Sequence, residues 1–139
     1  MYHAAGGSGA GLFEAAKEAS EASGSKVWGI GVDSDQYNTL DAAVQEYVLT
    51  SMLKRVDNAV YDAFTAGADL APGFNVMGVS NGGVGYALDE NNASLVSAEM
   101  QAAVDQAAAD IRQLQQVKAQ QAAEFQRVAQ AANAPPQPD

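Results

Sequence analysis

A short apolar run from Val27 to Val32 constrains the fold of this chain more than any other stretch. It is rich in β-forming residues, follows Gly24-Ser25 and ends at Asp33-Ser34-Asp35. Such a run between turn signals is typical of a strand buried in a parallel sheet. Ligands of open α/β sheets bind beyond the carboxyl ends of the strands. The run therefore predicts a central strand that ends, at Asp33, where a ligand would bind.

Two glycines, Gly29 and Gly31, lie inside this predicted strand. Glycine weakens a strand because it loses much conformational freedom and packs no side chain. Its presence at two alternate positions predicts that another backbone or a ligand approaches the strand closely there.

The composition narrows the class of protein. The chain has 139 residues, of which 47% are hydrophobic and 17% charged, as expected for one soluble globular domain. Its formal net charge of -10 argues against nucleic acid as a partner. The absence of cysteine excludes disulfides, thiol catalysis and zinc-thiolate sites. No stretch has the roughly 20 apolar residues of a membrane helix, and the N-terminus lacks a secretory signal pattern.

The remaining patterns alternate between helix and strand and therefore predict an α/β fold. Residues 6–11 are predicted to form a glycine loop that leads into a helix ending near Gly24. The rest of the prediction is a helical turn at 41–46, a strand at 47–52, a helix from 56 that ends at Gly67, a strand at 74–79, a mobile crossing at 82–86 and a long helix from Ser97. The long helix carries an apolar seam that needs a partner.

Two acidic residues follow the central strand, and their chemistry leaves alternatives open. Ionised carboxylates at Asp33 and Asp35 could accept the two hydroxyl groups of a ribose diol. Either could instead cap a loop or helix, a frequent role of aspartate. A metal site is only thinly supported, because no further oxygen ligands follow at calcium-loop spacing. The glycine loop does not fit a dinucleotide or P-loop motif and is either a tight turn or a close-approach loop.

The sequence offers few of the residues that a catalytic site with a nucleophile would need. The sequence has a single histidine, His3, and contains neither a cysteine nor a G-x-S-x-G motif whose nucleophile it could activate. We therefore interpret His3 as a packed loop residue. Lys54 follows a predicted strand and opens a helix, where a basic side chain can point into a cleft or remain solvated beside Arg55. No enzymatic activity and no cofactor are expected.

Four blocks of sequence carry a resemblance to a known family. They are AAGGSGAGLFEAAKEA, WGIGVDSDQ, VLTSMLKRVDNAVYDA and MGVSNGGVGYALDENNASL, in that order. Together they resemble the basic membrane protein family of ABC-transporter substrate-binding lipoproteins, whose best-understood members are purine nucleoside receptors. The resemblance covers about residues 2–112.

The resemblance implies a type I periplasmic binding protein fold, with two Rossmann-like lobes closing on a nucleoside, and an ABC permease as partner. Mapped onto this sequence, the family's ligand contacts fall on Gly6, on Asp33 for the ribose and on Lys54. It also implies an extracytoplasmic, lipid-anchored receptor in the bacterial cell envelope.

The same resemblance implies that this chain is the C-terminal half of such a receptor and lacks the N-terminal half. Residues 1–46 and 73–114 would belong to the second lobe and 47–72 to the first. Residues 115–139 lie outside the family pattern and are predicted to be a helical extension with a disordered Pro-rich tip. An alternative function is a helix-mediated interaction protein that uses the apolar seam at 97–130. A nucleotide-using enzyme is the least favoured hypothesis.

Overall fold

The structure is a computed structural model that describes residues 1–132. It divides into a first unit, Met1–Gln101, and a second unit, Ala102–Asp139, and each is described by itself. The helices and strands, in chain order, are α1 (Ala10–Ser23), β1 (Gly29–Asp33), α2 (Ala42–Gln45), β2 (Val48–Lys54), α3 (Val56–Ala66), β3 (Val84–Tyr86) and α4 (Ala98–Ala132). The chain is thus a partial α/β fold with a small sheet and a long C-terminal helix, and the predicted fold class is confirmed.

The predicted central strand is confirmed as β1, which has neighbours on both sides. It pairs in parallel with β2, in a register that places Asp33 opposite Leu53. On its other side, Tyr2 forms a parallel bridge to Ile30, and Ile30 N donates to Met1 O at 2.8 Å. The third strand, β3, pairs antiparallel with β2. The carboxyl ends of the Tyr2 segment, β1 and β2 consequently face the same edge of the sheet.

Helix α1 forms where the sequence predicts it and covers one face of this sheet. Its C-terminal residue is followed by Gly24 at φ 68°, whose N–H donates to Ser20 O at 2.9 Å, the left-handed cap that glycine favours. Phe13 and Ala16 have no exposed surface. They pack with residues from α2 and the start of β2 to form the core, which comprises Phe13, Ala16, Val44, Tyr47 and Val48.

The two strand glycines make room for the protein's own side chains. A Cβ at Gly29 would lie 2.6 Å from Phe13 Cε1, so helix α1 approaches the strand at this point. A Cβ at Gly31 would lie 2.5 Å from Ser51 Oγ and 2.8 Å from Gln36 Oε1. The predicted close approach therefore exists, and at both positions it is made by neighbouring side chains of the chain itself.

The prediction of a strand at 74–79 is wrong. Within the described residues this segment contains no strand, and Phe74 and Val76 are fully or largely exposed. Its backbone is held by a turn instead: Asn81 Oδ1 accepts from Gly78 N at 2.7 Å, and Asn81 Nδ2 donates to Val76 O at 3.0 Å. The strand that pairs antiparallel with β2 is Val84–Tyr86, which lies inside the segment predicted to be a mobile crossing.

Helix α3 has the predicted apolar stripe, but that stripe is not buried in this chain. Val56, Val60 and Phe64 are 62%, 63% and 87% exposed. The periodicity correctly predicts a helix with one apolar face.

Helix α4 begins as predicted, since Met100 N donates to Ser97 Oγ at 3.3 Å. It extends over 35 residues to Ala132. Seven large apolar side chains along it are substantially exposed: Met100, Val104, Ile111, Leu114, Val117, Phe125 and Val128. The predicted helical extension beyond 114 is therefore present, whereas the predicted disordered tip lies outside the described residues.

Candidate functional site

The candidate site lies where the two parallel strands β1 and β2 end. Asp33 is the last residue of β1 and Lys54 the last residue of β2. Lys54 Nζ lies 2.8 Å from Asp33 Oδ1, with 61% and 44% of the two side chains exposed. Two of the three predicted ligand-binding residues therefore form an ion pair, and both remain partly open to solvent.

Asp33 adopts a strained backbone conformation. It has φ 73°, and no other residue except glycine has positive φ among the described residues. Ser34 N donates to Val32 O at 3.0 Å, which makes Asp33 the central residue of a γ-turn. This positive-φ form of the γ-turn is rare and strained, at a cost of about 1–3 kcal/mol, and such strain clusters at binding and active sites. The turn directs the chain out of the sheet directly beside Lys54.

Oδ1 of Asp33 is shielded from solvent although the side chain as a whole is not. Among residues 1–132 it receives no hydrogen bond from a backbone N–H or a neutral side chain, so the Lys54 ammonium is the group that faces it. Hydrogen bonding and Coulomb attraction from Asp33 raise the pKa of Lys54 above its ordinary value of 10.5. Lys54 is consequently a cation at physiological pH.

The Lys54 pKa shift predicts how the contribution of the ion pair to stability changes at high pH. Because the folded state holds the Lys54 proton more tightly than the unfolded state, the contribution is fully present below pH 10.5 and is lost as pH rises through the folded-state pKa. We expect the difference in urea midpoint between the wild-type chain and Lys54→Met to stay constant from pH 7 to 10 and to shrink above pH 10.5. A difference that shrinks already between pH 7 and 9 would contradict this assignment.

Gly6, the third predicted residue, starts a short 3₁₀ helix that runs from Gly6 to Gly9. It follows the Tyr2 segment, which lies beside β1. Gly6 has φ 52°, and apart from its own and the adjacent residues no atom lies within 4 Å of the position that a Cβ would occupy. Glycine is thus favoured here by backbone conformation, and the space beside it is open to a ligand.

Asp35 has a capping role in this structure. Its Oδ1 accepts from Tyr37 N at 3.3 Å at the start of a 3₁₀ turn, and its Oδ2 accepts from Asn38 Nδ2 at 2.6 Å. Burial raises the pKa of Asp35 above 3.8, the bond from Tyr37 N opposes this, and the negative charge of Asp89 adds to it. Of the two alternatives that the sequence left open for Asp35, the structure favours the cap.

The raised pKa of Asp35 predicts that neutralising this residue stabilises the chain. At neutral pH the ionised carboxylate is partly desolvated and faces Asp89. An asparagine keeps an oxygen that can accept from Tyr37 N, and its NH2 group can donate to Asn38 Oδ1 once the exposed Asn38 amide turns over. We expect Asp35→Asn to raise the melting temperature at pH 7. The gain should vanish as pH falls toward 3.8, because the native state of the wild-type chain then binds the proton that relieves the penalty. A lower melting temperature at pH 7 would show that the carboxylate charge itself stabilises the turn.

Sequence reasoning missed two residues that organise this edge, Gln36 and Ser51. Gln36 Oε1 accepts from Val32 N at 3.0 Å and lies 2.9 Å from His3 Nε2, while Gln36 N donates to Ser51 Oγ at 3.0 Å. Ser51 has no exposed surface. The one available signal is Gly31, whose missing side chain leaves the space that both residues fill. His3 is half-buried and packs edge-on against Phe13, which confirms its interpretation as a packed loop residue.

A cavity of about 230 Å³ lies beside Lys54. It is bounded by the start of α3 and the segment before β3, and its lining residues are Lys54, Arg55, Val56, Ala59, Met77, Gly83 and Val84. Most of these side chains are apolar, so the cavity offers a nonpolar surface next to the ammonium group of Lys54.

The described part of the chain contains neither a metal-binding cluster nor a membrane-spanning helix. No three His, Asp or Glu side chains within residues 1–132 gather closely enough to hold a metal ion. No helix in that range combines the length and the apolar character needed to cross a membrane.

A comparison with family models identifies the class of protein to which these features belong. Residues 1–121 match the Bmp family, described as ABC transporter substrate-binding protein PnrA-like. Because the match covers most of the chain, this chain belongs to the Bmp family of ABC-transporter substrate-binding proteins. The resemblance found in the sequence is thereby confirmed.

Particular relatives are similar over much of this chain. The ABC transporter nucleoside-binding protein BmpA of Lactococcus lactis subsp. cremoris is 36% identical over 115 residues, covering 76% of this chain and 33% of that protein. The CD4+ T-cell-stimulating antigen of Listeria monocytogenes serovar 1/2a is 39% identical over 103 residues, covering 68% of this chain and 29% of that protein. A solved structure, titled as ABC transporter system solute-binding proteins from Aeropyrum pernix K1, has 32% identity and a TM-score of 0.48 and covers 76% of this chain and 27% of that chain.

The chain spans about a third of the length of the relatives that it matches. The fold described here is therefore partial relative to those proteins.

Proposed function

We propose that this chain forms part of the nucleoside-binding site of an ABC-transporter receptor and that Asp33 binds the ribose. The observation that carries the proposal is the Asp33–Lys54 ion pair, which lies at the carboxyl ends of adjacent parallel strands with Asp33 in a strained turn. Oδ1 of this carboxylate is shielded and faces Lys54, so the outer oxygen Oδ2 would accept the diol, and its two lone-pair sites can take two hydroxyl hydrogens. The nucleoside-binding name of the Lactococcus relative supports a nucleoside as the ligand.

In this proposal each of the three residues has a separate role. Asp33 accepts hydrogen bonds from the ribose hydroxyls, while Lys54 holds the carboxylate in place and donates its remaining protons to oxygen atoms of the ligand. Gly6 lets the ligand approach the backbone, because a side chain there would occupy the open space. Within this proposal the nucleoside is a purine nucleoside. Its base would need an apolar surface, and the cavity beside Lys54 offers one.

The proposal extends to the whole receptor. The part of the relatives that this chain does not span would supply the remaining contacts, and the nucleoside would lie in a cleft between two lobes, with the sheet of β1 and β2 in one of them. An ABC permease would receive the nucleoside, and the receptor would be lipid-anchored outside the cytoplasm. The exposed apolar stripe on α3 is consistent with a further part of the receptor that covers it, because single domains rarely leave such a contiguous face uncovered. Binding is the whole activity in this proposal, with no chemical conversion of the nucleoside.

A thermal-shift panel of nucleosides tests this function. A ligand that binds only the folded state raises the melting temperature by mass action. We expect inosine, guanosine or adenosine to raise the melting temperature of the full-length Lactococcus relative strongly and that of this chain weakly. Ribose-free bases should have less effect on both proteins. If none of the nucleosides shifts either protein, even at millimolar concentration, the proposed ligand class is wrong.

The exposed seam of α4 favours a second candidate function, which is pairing with another helix. Steps of four and three residues join Met100, Val104, Ala107, Ile111 and Leu114, and the four larger of these side chains are 43–54% exposed. Such spacing is that of a helix that packs against a partner helix. Sedimentation of the chain with and without residues 97–139 tests this candidate, since only helix pairing predicts oligomers that disappear with the deletion.

A further inference from the structure

We propose that Gln36 is a positioning residue that holds the three segments carrying Gly6, Asp33 and Lys54 in one arrangement. This inference rests on the proposed function, because it assigns those three residues to one ligand site. Among the described residues, Gln36 forms no hydrogen bond with the side chain of Asp33 or Lys54. Its effect is transmitted through Val32, His3 and Ser51.

The first link fixes the strained turn at Asp33. Gln36 Oε1 accepts from Val32 N at 3.0 Å, and the orientation of the Gln36 amide follows from this bond because a backbone N–H can only donate. The carbonyl of Val32 accepts from Ser34 N at 3.0 Å. Both polar groups of Val32 are therefore held, and the residue that follows it is confined to the γ-turn.

The second link reaches the loop that begins at Gly6. Ala5 N donates to His3 Nδ1 at 3.3 Å, so the proton of the neutral imidazole lies on Nε2. That nitrogen donates to Gln36 Oε1 at 2.9 Å. The same amide oxygen thus binds the strand before Asp33 and the segment that leads, three residues later, to Gly6.

The third link reaches the strand that carries Lys54. Gln36 N donates to Ser51 Oγ at 3.0 Å, and Ser51 is fully buried in β2, three residues before Lys54. The side chain of Gln36 can fold back onto the sheet only because Gly31 has no Cβ, which would lie 2.8 Å from Gln36 Oε1. One residue therefore ties together the ends of three adjacent segments at the edge of the sheet.

The test compares Gln36→Met with a matched control, Gln45→Met. Methionine preserves the length of the side chain but provides no strong acceptor for Val32 N–H or for His3. Gln45 also makes two hydrogen bonds, to Tyr37 O at 2.9 Å and Leu40 O at 3.3 Å, in the loop that follows Gln36. The readout is the pKa of Lys54, followed by NMR through the ¹³C shift of its ε-carbon, because this pKa is raised only while Asp33 faces the ammonium group.

We expect the Lys54 pKa to return to about 10.5 in Gln36→Met and to stay raised in Gln45→Met. A folded Gln36→Met that keeps the raised pKa would overturn the proposal. Loss of the raised pKa in both variants would also overturn it, because Gln36 would then act only through general loosening of the loop.

A second measurement remains decisive if Gln36→Met does not fold. Hydrogen exchange of the Val32 amide is measured in the wild-type chain and in Gln36→Glu, which keeps an accepting oxygen. Slow exchange of this amide in both proteins is expected, and fast exchange in the wild-type chain would overturn the proposal. Neither measurement uses a nucleoside. If neither this chain nor the Lactococcus relative bound inosine, the proposed function would fail and the positioning role of Gln36 would still be tested on its own.

Discussion

Replacing Phe13 with alanine is expected to lower the free energy of unfolding of the first unit by about 3–5 kcal/mol. Phe13 has no exposed surface, and it packs with Ala16, Val44 and Tyr47 in the core between α1 and the sheet. Truncation removes the transfer free energy of the ring and leaves a cavity that the glycine-rich strand beside it cannot fill. Urea unfolding followed by circular dichroism measures the loss.

The matched control for this change is Phe64→Ala on α3. Phe64 is 87% exposed, so the same truncation there should change the free energy of unfolding by less than about 0.5 kcal/mol. Equal losses from the two substitutions would mean that the α3 face is buried in solution. That result would contradict the core described here.

The second large effect is expected on ligand binding. We predict that Asp33→Asn weakens nucleoside binding by about 10- to 100-fold, because a hydrogen bond to a charged group contributes about 1.5–3 kcal/mol. The measurement uses a chimera in which residues 1–121 of this chain replace the matching segment of the Lactococcus relative, so that the rest of the receptor is present. Isothermal titration with inosine gives the dissociation constants.

Asp62→Asn is the control for this prediction, since it removes the same charge from an exposed position on α3. It should leave the dissociation constant within about twofold of the unmodified chimera. If Asp33→Asn binds inosine as tightly as the control does, Asp33 is a structural residue of the turn and the proposed role is wrong.

The elements that sequence reasoning predicts well are those whose signals are local. The strand ending at Asp33 lies between turn residues, the end of α1 is set by Gly24, and the start of α4 by Ser97. Each of these depends on the conformational preference of one or two residues. Such preferences are present in the sequence itself.

The strand predicted at 74–79 fails because strand formation needs a partner that local preference does not reveal. The segment has β-forming residues, but Asn81 binds its backbone groups and the place beside β2 is taken by Val84–Tyr86. A three-residue strand that follows two glycines and contains a third has almost no local signal. Which of the two segments forms the strand is therefore set by pairing with β2, which is distant in sequence.

The site could be predicted only in part. Asp33 and Lys54 follow from their positions after strands, and the structure brings them within 2.8 Å of each other. The role of Gln36 could not be predicted, because its hydrogen bonds join residues that are 4, 15 and 33 positions away in sequence.

Contact between the Asp33 carboxylate and the ribose hydroxyls is tested most directly by a ratio of affinities. In the chimera, the dissociation constants of inosine and 2′-deoxyinosine are measured with and without Asp33→Asn. We expect the chimera to bind inosine about 10-fold more tightly than the deoxynucleoside, and Asp33→Asn to reduce this ratio to nearly one. An unchanged ratio in Asp33→Asn would contradict direct contact between Asp33 and the sugar.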